Sequence, residues 1–208
     1  MNIDYKMYWD NVYLNSEVNK LGWYEETPHA SIKLIKKCNI KKDSVILDIG
    51  TGATTLIPYL LENDYTNVIA LDISEEAIKK ASQGIKTEEA QRVKWIVDDI
   101  TNPKLLNEKV DLWHDRTVLH FLIEEKQQIG YLSTLKKVVR PGGYVIIAVF
   151  SLEGAKKCSG LDVKNYNEQM IREFLGKEFK LLEHFNYLYI QPSGGERPYV
   201  YTLFKRKL

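Results

Sequence analysis

The residues best suited to chemistry stand at the ends of short apolar runs. Ser44-Val45-Ile46-Leu47-Asp48-Ile49 leads into Gly50-Thr51-Gly52-Ala53-Thr54. Two glycines two apart let a backbone turn sharply and approach a ligand closely, beside the free N–H groups of a helix N-terminus. The same turn also suits an ordinary strand-to-helix connection, so the acids on neighbouring runs matter. Asp72 closes Asn67-Val68-Ile69-Ala70-Leu71 ahead of Ile73, 24 positions beyond Asp48. Nucleoside-binding sheets place an acid there on a ribose diol. Asp98-Asp99-Ile100 follows Val93 to Val97, and a carboxylate at that point can accept a hydrogen bond from an adenine amino group. Asp48, just ahead of the turn, can meet a cationic group directly or through water. One terminal acid is usually a cap, whereas three on one sheet edge suggest a binding site.

A fourth run, Val110-Asp111-Leu112-Trp113-His114, continues through Asp115-Arg116-Thr117-Val118-Leu119-His120. His114 or His120 can take up a proton near neutral pH. Asp115 and Arg116 either face a second reactant or pair with each other to fix the loop. His120, between Leu119 and Phe121, reads as packed, and His29 and His184 have no suggestive context. Cys38 and Cys158 lie far apart and build neither a zinc site nor a disulfide framework. Cys38 falls on an apolar helix face and reads as core, while Cys158 reads as exposed with nothing nearby to activate it.

The elements that must position these groups alternate. Strands are expected at 44–49, 67–72, 93–97, 110–114 and 144–150, with helices at Thr54–Glu62, from a Ser74 cap onward, and at Glu124–Val139. Ile73, Ala77, Ile78 and Ala81 keep a helical period, as do Ile129, Leu132, Leu135 and Val139. Arg140-Pro141-Gly142-Gly143 ends the long helix, because proline cannot continue it and glycine accepts a left-handed exit. After a loop over 151–166 come a short helix near Asn167–Leu175 and two final strands, Phe179–Ile190 and Tyr199–Lys205, joined without a helix and so antiparallel at one edge. This is an α/β, Rossmann-like, doubly wound fold with a mainly parallel seven-stranded sheet. Helices near Lys6–Leu14 and His29–Cys38 precede it, with Thr27 as cap and Pro28 at the first helical position. Tyr5, Tyr8, Trp9 and Tyr13 recur at helical spacing, followed by Trp23-Tyr24. They read as a packed aromatic stripe or as a lid whose ring faces attract a cation.

The 208 residues suit one domain, with 1–40 as a helical lid and 41–208 as the core, and such a chain buries roughly 70% of its unfolded surface. Lys plus Arg number 29 and Asp plus Glu 28, a formal charge of +1 that argues against general nucleic-acid or membrane affinity. With 44% hydrophobic and 27% charged residues, disorder and disulfide scaffolds are excluded. No apolar leader is seen in Met1 to Lys6, and the apolar run Tyr144–Phe150 is too short for a bilayer. The expectation is a cytoplasmic protein without membrane contact.

Asp48-Ile49-Gly50-Thr51-Gly52, Asp72, Asp99-Ile100 and the Arg140-Pro141-Gly142-Gly143 turn together resemble the class I S-adenosylmethionine-dependent methyltransferases, over roughly Ser31 to Lys205. That resemblance implies S-adenosylmethionine as cofactor, held by Asp48, Gly50, Thr51, Gly52, Asp72, Ile73, Asp99 and Ile100, with His114 beside it, Trp9 and Trp23 as lid contacts, and no metal. The family often has a third glycine where this chain has Thr54, a residue able to cap the following helix. The Trp113-His114-Asp115-Arg116 segment and Cys158-Ser159-Gly160-Leu161 look like those of a bacterial methyltransferase subgroup. His114, Asp115 and Arg116 are the catalytic candidates, similar in position to an acid-plus-basic pair in thiol methyltransferases and small protein-lysine methyltransferases. A small thiol, amine or hydroxyl compound is the first acceptor and a protein lysine the second. An NAD-dependent reductase fits less well, since no glycine stands at the third position of a Gly-x-Gly-x-x-Gly pattern begun at Gly50, and the one Tyr-x-x-x-Lys, Tyr201 to Lys205, lies in a strand. A non-catalytic binder of the same cofactor is the other reading.

Overall fold

The computed structural model describes residues 3–208, the Thr87 side chain excepted, so the first two residues of the leader reading lie outside it. Parallel strands β1 (Val45–Ile49), β2 (Asn67–Asp72), β3 (Val93–Val97), β4 (Val110–Arg116) and β5 (Val139–Phe150) form most of one seven-stranded sheet. The order is β3-β2-β1-β4-β5-β9-β8, where β8 (Phe179–Ile190) and β9 (Glu196–Arg206) run antiparallel. The chain winds outward from β1 to β3, then returns to build β4 on the other side of β1. The resulting switch point between β1 and β4 is where an open α/β sheet receives its ligand.

Burial on both faces explains the apolar strands. Helices α2 (His29–Cys38) and α3 (Leu56–Glu62) pack with Ile46, Ala70, Leu112 and Ile146 on one face. Helices α6 (Glu125–Val138) and α7 (Glu168–Leu175) pack with Leu47, Trp113 and Val145 on the other. Helix α4 (Glu75–Gln83) starts where Ser74 accepts a bond from the Ala77 N–H, with Glu75 and Glu76 in its first turn. Helix α1 (Tyr5–Leu14) lies against α4. No helix of the described residues is long and apolar enough to cross a membrane.

Several elements differ from expectation. Strand β4 runs two residues further, to Arg116, because its ladder with β5 continues through Asp115 and Arg116. Helix α6 buries Tyr131, Thr134, Leu135 and Val138, while Ile129 is 61% exposed, so the packed face is rotated from the expected one. Both stripes keep a helical period, and periodicity alone does not choose between them. Pro28 itself caps α2, and α3 starts at Leu56, two residues later than expected. Short α5 (Thr87–Ala90) has no counterpart in the sequence reading, and a hairpin of β6 (Lys157–Cys158) and β7 (Leu161–Asp162) stands in the segment read as a loop. The Arg140-Pro141-Gly142-Gly143 turn bulges from the start of β5, with Gly142 at φ +78.

Candidate functional site

One pocket opens over the carboxyl ends of β1, β2, β3 and β4. Trp9, Trp23, Asp48, Gly50, Thr51, Asp72, Ile73, Asp99, Ile100, His114 and Arg116 all line it. Gly50 and Gly52 adopt φ +59 and +56, values that L side chains rarely take. A Cβ on Gly50 would overlap Val118, and one on Gly52 would sit 2.5 Å from the Tyr13 phenol oxygen. Gly52 is not on the pocket wall. Its N–H instead donates to Asp72 Oδ2 at 2.8 Å, and the Ser74 N–H donates to Asp72 Oδ1 at 2.9 Å. Burial pushes the Asp72 carboxyl up to about 6, against the pull of those N–H bonds. Asp99 accepts from the Thr101 backbone and hydroxyl, both at 2.8 Å, which orients the carboxylate at the β3 end. Thr54 does support the next helix, accepting from the Leu56 N–H at 2.9 Å.

Asp48 and His114 are paired residues of adjacent strands. Asp48 Oδ1 lies 2.7 Å from His114 Nδ1, and the Thr51 hydroxyl donates to Oδ2 at 2.6 Å. His114 Nε2 meets the Ser31 hydroxyl of α2 at 2.9 Å. Both ring nitrogens are therefore engaged: Nδ1–H donates to the carboxylate and Nε2 accepts from serine, an assignment that follows from the partners. Held this way, His114 orients the carboxylate beside the glycine turn.

Alternation along β4 sends His114 and Arg116 to one face and Asp115 to the other. Of the two readings, pairing of Asp115 with Arg116 is thus absent. Asp115 is fully buried, lies off the pocket wall, and accepts from the Tyr131 hydroxyl at 2.6 Å and from the Val118 and Leu119 N–H groups. Burial raises its carboxyl to about 6. These bonds brace the loop after β4. Arg116 pairs instead with Glu25, its Nε 3.0 Å from Oε2. The guanidinium also donates to the Trp23 carbonyl and the Tyr201 hydroxyl, and the Tyr189 and Tyr199 rings lie 5.2 Å from it. His120 is buried between Phe121 and Phe150, with neither ring nitrogen bonded, and burial lowers its pKa to about 3. Cys38 is core, its thiol donating to the Leu34 carbonyl, while Cys158 is half-buried on the pocket wall with a thiol raised by burial to about 11. Among the described residues no three His, Cys, Asp or Glu side chains gather for a metal ion.

Sequence reading missed Ser31 and Glu25. Neither sits at a strand end or in a motif, and only the packing of α2 and the segment before it brings them to the pocket. That segment spans the mouth. On one flank Ser74 donates to Asp10 at 2.7 Å and Lys80 to the Ser16 carbonyl at 2.9 Å. On the other, the Thr55 hydroxyl donates to the Glu25 carbonyl at 2.8 Å and Gln191 to the Gly22 carbonyl at 2.9 Å. Trp9 meets Trp23 and Phe121 edge to face at 5.6 and 5.1 Å. The aromatic stripe is therefore packed, and Trp9 and Trp23 also line the pocket.

The site fits a nucleoside carrying a methyl sulfonium: a glycine turn that a Cβ would block, carboxylates at the ends of β2 and β3, and aromatic rings above. Residues 40–188 match a family model described as a methyltransferase domain. An EEF1A lysine methyltransferase 2 from Danio rerio is 26% identical over 155 residues, 68% of this chain, and this chain spans 66% of that protein's length. A tRNA (carboxymethyluridine(34)-5-O)-methyltransferase from Arabidopsis thaliana is 34% identical over 55% of this chain and 26% of that one. Among solved structures, a SAM-dependent methyltransferase from Anabaena variabilis superposes with a TM-score of 0.78 at 15% identity, over 99% of this chain and 96% of that one. The chain belongs to the S-adenosylmethionine-dependent methyltransferase family.

Proposed function

We propose that this chain transfers a methyl group from S-adenosylmethionine to a small-molecule thiol, amine or hydroxyl acceptor, working as one domain in which residues 1–40 cover a core of 41–208. The observation that carries the acceptor size is the covered mouth, with Asp10 held on one flank and the Glu25 carbonyl on the other. The donor supplies an electrophilic methyl on sulfur, so the chain's task is alignment, with proton removal where the nucleophile carries one. In this reading Asp72 holds the ribose, Asp99 and Ile100 the adenine, and Asp48, Gly50 and Thr51 the amino-acid end, with His114 fixing Asp48. Gly52 acts through Asp72, and Arg116 stands on the acceptor side. The Trp113-His114-Asp115-Arg116 segment supports placing the chain in the bacterial subgroup that carries it.

A second reading, a protein-lysine acceptor, is favoured by the similarity to the lysine methyltransferase named above. Calorimetry with S-adenosylmethionine and with NAD(H), followed by acceptor screening for S-adenosylhomocysteine release, tests the proposal. Saturable binding of the former alone is expected, with turnover on a small acceptor. Binding of NAD(H) alone overturns it in favour of a reductase. Donor binding with turnover only on protein replaces the acceptor, and donor binding without any product favours a non-catalytic binder.

A further inference from the structure

Resting on the methyl-transfer reading, we infer that the acceptor is an amine and that Glu25 anchors it and takes up its proton. The Glu25 side chain is 7% exposed and lines the pocket near the end of β4. Its Oε2 is 3.0 Å from Arg116 Nε but makes no well-directed hydrogen bond and is buried without a hydrogen-bond partner. Arg116 is meanwhile held by the Trp23 carbonyl, the Tyr201 hydroxyl and two tyrosine rings. The carboxylate thus sits against a fixed cation with the accepting capacity of Oε2 unspent. A buried acceptor left this way costs stability unless a ligand donor meets it.

The charge of the wall selects the donor. Glu25, Asp48, Asp72, Asp98 and Asp99 face the pocket against Arg116. A thiolate or carboxylate acceptor is repelled there, whereas an ammonium is drawn in and meets the rings of Trp9, Trp23 and Phe121. An outer groove between residues 24–29 and 187–192 shares Tyr24 and Glu25 with the pocket, so Glu25 stands where the two spaces meet. Burial raises its pKa, opposed by Arg116, His114 and His29, which makes it a better base than a surface glutamate.

The amine arrives as an ammonium and gives one proton to solvent as it enters. The nitrogen lone pair then forms a bond to the methyl carbon as that carbon's bond to sulfur breaks, leaving a neutral thioether. The remaining excess proton passes from the methylated nitrogen to Glu25, which is left as a neutral acid.

The test uses wild type, Glu25→Gln and Glu25→Asp. Calorimetry with S-adenosylmethionine reports the donor site separately, and failure there in wild type removes the methyl-transfer reading itself. With the donor site intact, amine probes (an alkylamine, an arylamine and N-acetyl-lysine amide) and thiol probes (2-mercaptoethanol and thiophenol) are compared. They are scored by binding to the S-adenosylhomocysteine complex and by product formation. The expected result is binding and turnover of at least one amine, with turnover lowered about 100-fold or more in Glu25→Gln and partly restored in Glu25→Asp. Turnover of thiols alone, an unchanged rate in Glu25→Gln, or no amine bound or methylated by wild type overturns the inference. Should Glu25→Gln fail to fold, the wild-type comparison and Glu25→Asp still decide it.

Discussion

His114 Nδ1 stands 2.7 Å from Asp48 Oδ1, joining two buried residues that are register partners across β1 and β4. Ser31 completes the line at the far nitrogen. Ser31→Ala leaves a buried nitrogen without its donor and is expected to cost about 1–3 kcal/mol, read as a lowered midpoint in urea at unchanged slope. Asp48→Asn keeps the shape but removes the charge. It is expected to leave the fold intact and weaken S-adenosylmethionine about tenfold by calorimetry, roughly 1.4 kcal/mol.

Gly52 and Tyr13 form a second testable pair. Gly52→Ala places a methyl against the Tyr13 hydroxyl in a left-handed backbone, a conformation costing roughly 1–2 kcal/mol by itself. Adding Tyr13→Phe removes the clash and leaves the backbone term. The double variant is therefore expected to be more stable than the sum of the single effects, and strict additivity in a thermal-melt cycle would refute the contact.

Asp72 sets a pH limit on donor affinity. Its carboxyl titrates at about 6 in the folded protein, and hydroxyl donors favour the ionised form. Affinity for S-adenosylmethionine is expected to be flat above pH ~6 and to fall up to tenfold per unit below it. Asp72→Asn removes that slope while weakening binding throughout. Calorimetry at pH 5 and pH 7.5 on both proteins shows it.

His120 carries an acid sensitivity of its own. Its folded pKa, about 3, lies below the ordinary value near 6.5, so the unfolded chain binds the proton more readily. Its contribution to stability is complete above pH ~6.5 and is lost as pH falls toward ~3. Asp72 and Asp115, raised to about 6, act in the opposite sense: they favour the fold most below pH ~4, and that contribution is lost as pH rises to ~6. His120→Leu removes two unbonded nitrogens and their acid limb. It is expected to gain about 1–2 kcal/mol at pH 5, and less at pH 8, by urea titration.

Asp115 is expected to matter for stability and not for binding. Asp115→Ala strands the Tyr131 hydroxyl and the Val118 and Leu119 N–H groups, at a cost of about 2–4 kcal/mol. The folded fraction retains its donor affinity. A selective loss of turnover at full stability would return Asp115 to the catalytic set.

Much of this was legible along the chain. Strand and helix order, the antiparallel strands at one edge, the glycine turn and the acids closing β2 and β3 depend on local pattern, and a local pattern survives in one dimension. Asp72 shows how far that goes, since its place at a strand end follows from the apolar run before it. Its use of both oxygens to hold Gly52 and Ser74 does not. The Asp115–Arg116 reading failed because adjacency in sequence is opposition across a strand, and the true partners, Tyr131 and Glu25, come from a helix packed on one face and a segment folded over the other. Ser31 and Glu25 carry no signal of their own. Side-chain chemistry within a strand or turn is set by neighbours a few residues away, whereas the partners that decide protonation, charge balance and access are brought by packing from 66 to 93 positions distant, as Asp48 is for His114 and Trp23 for Arg116.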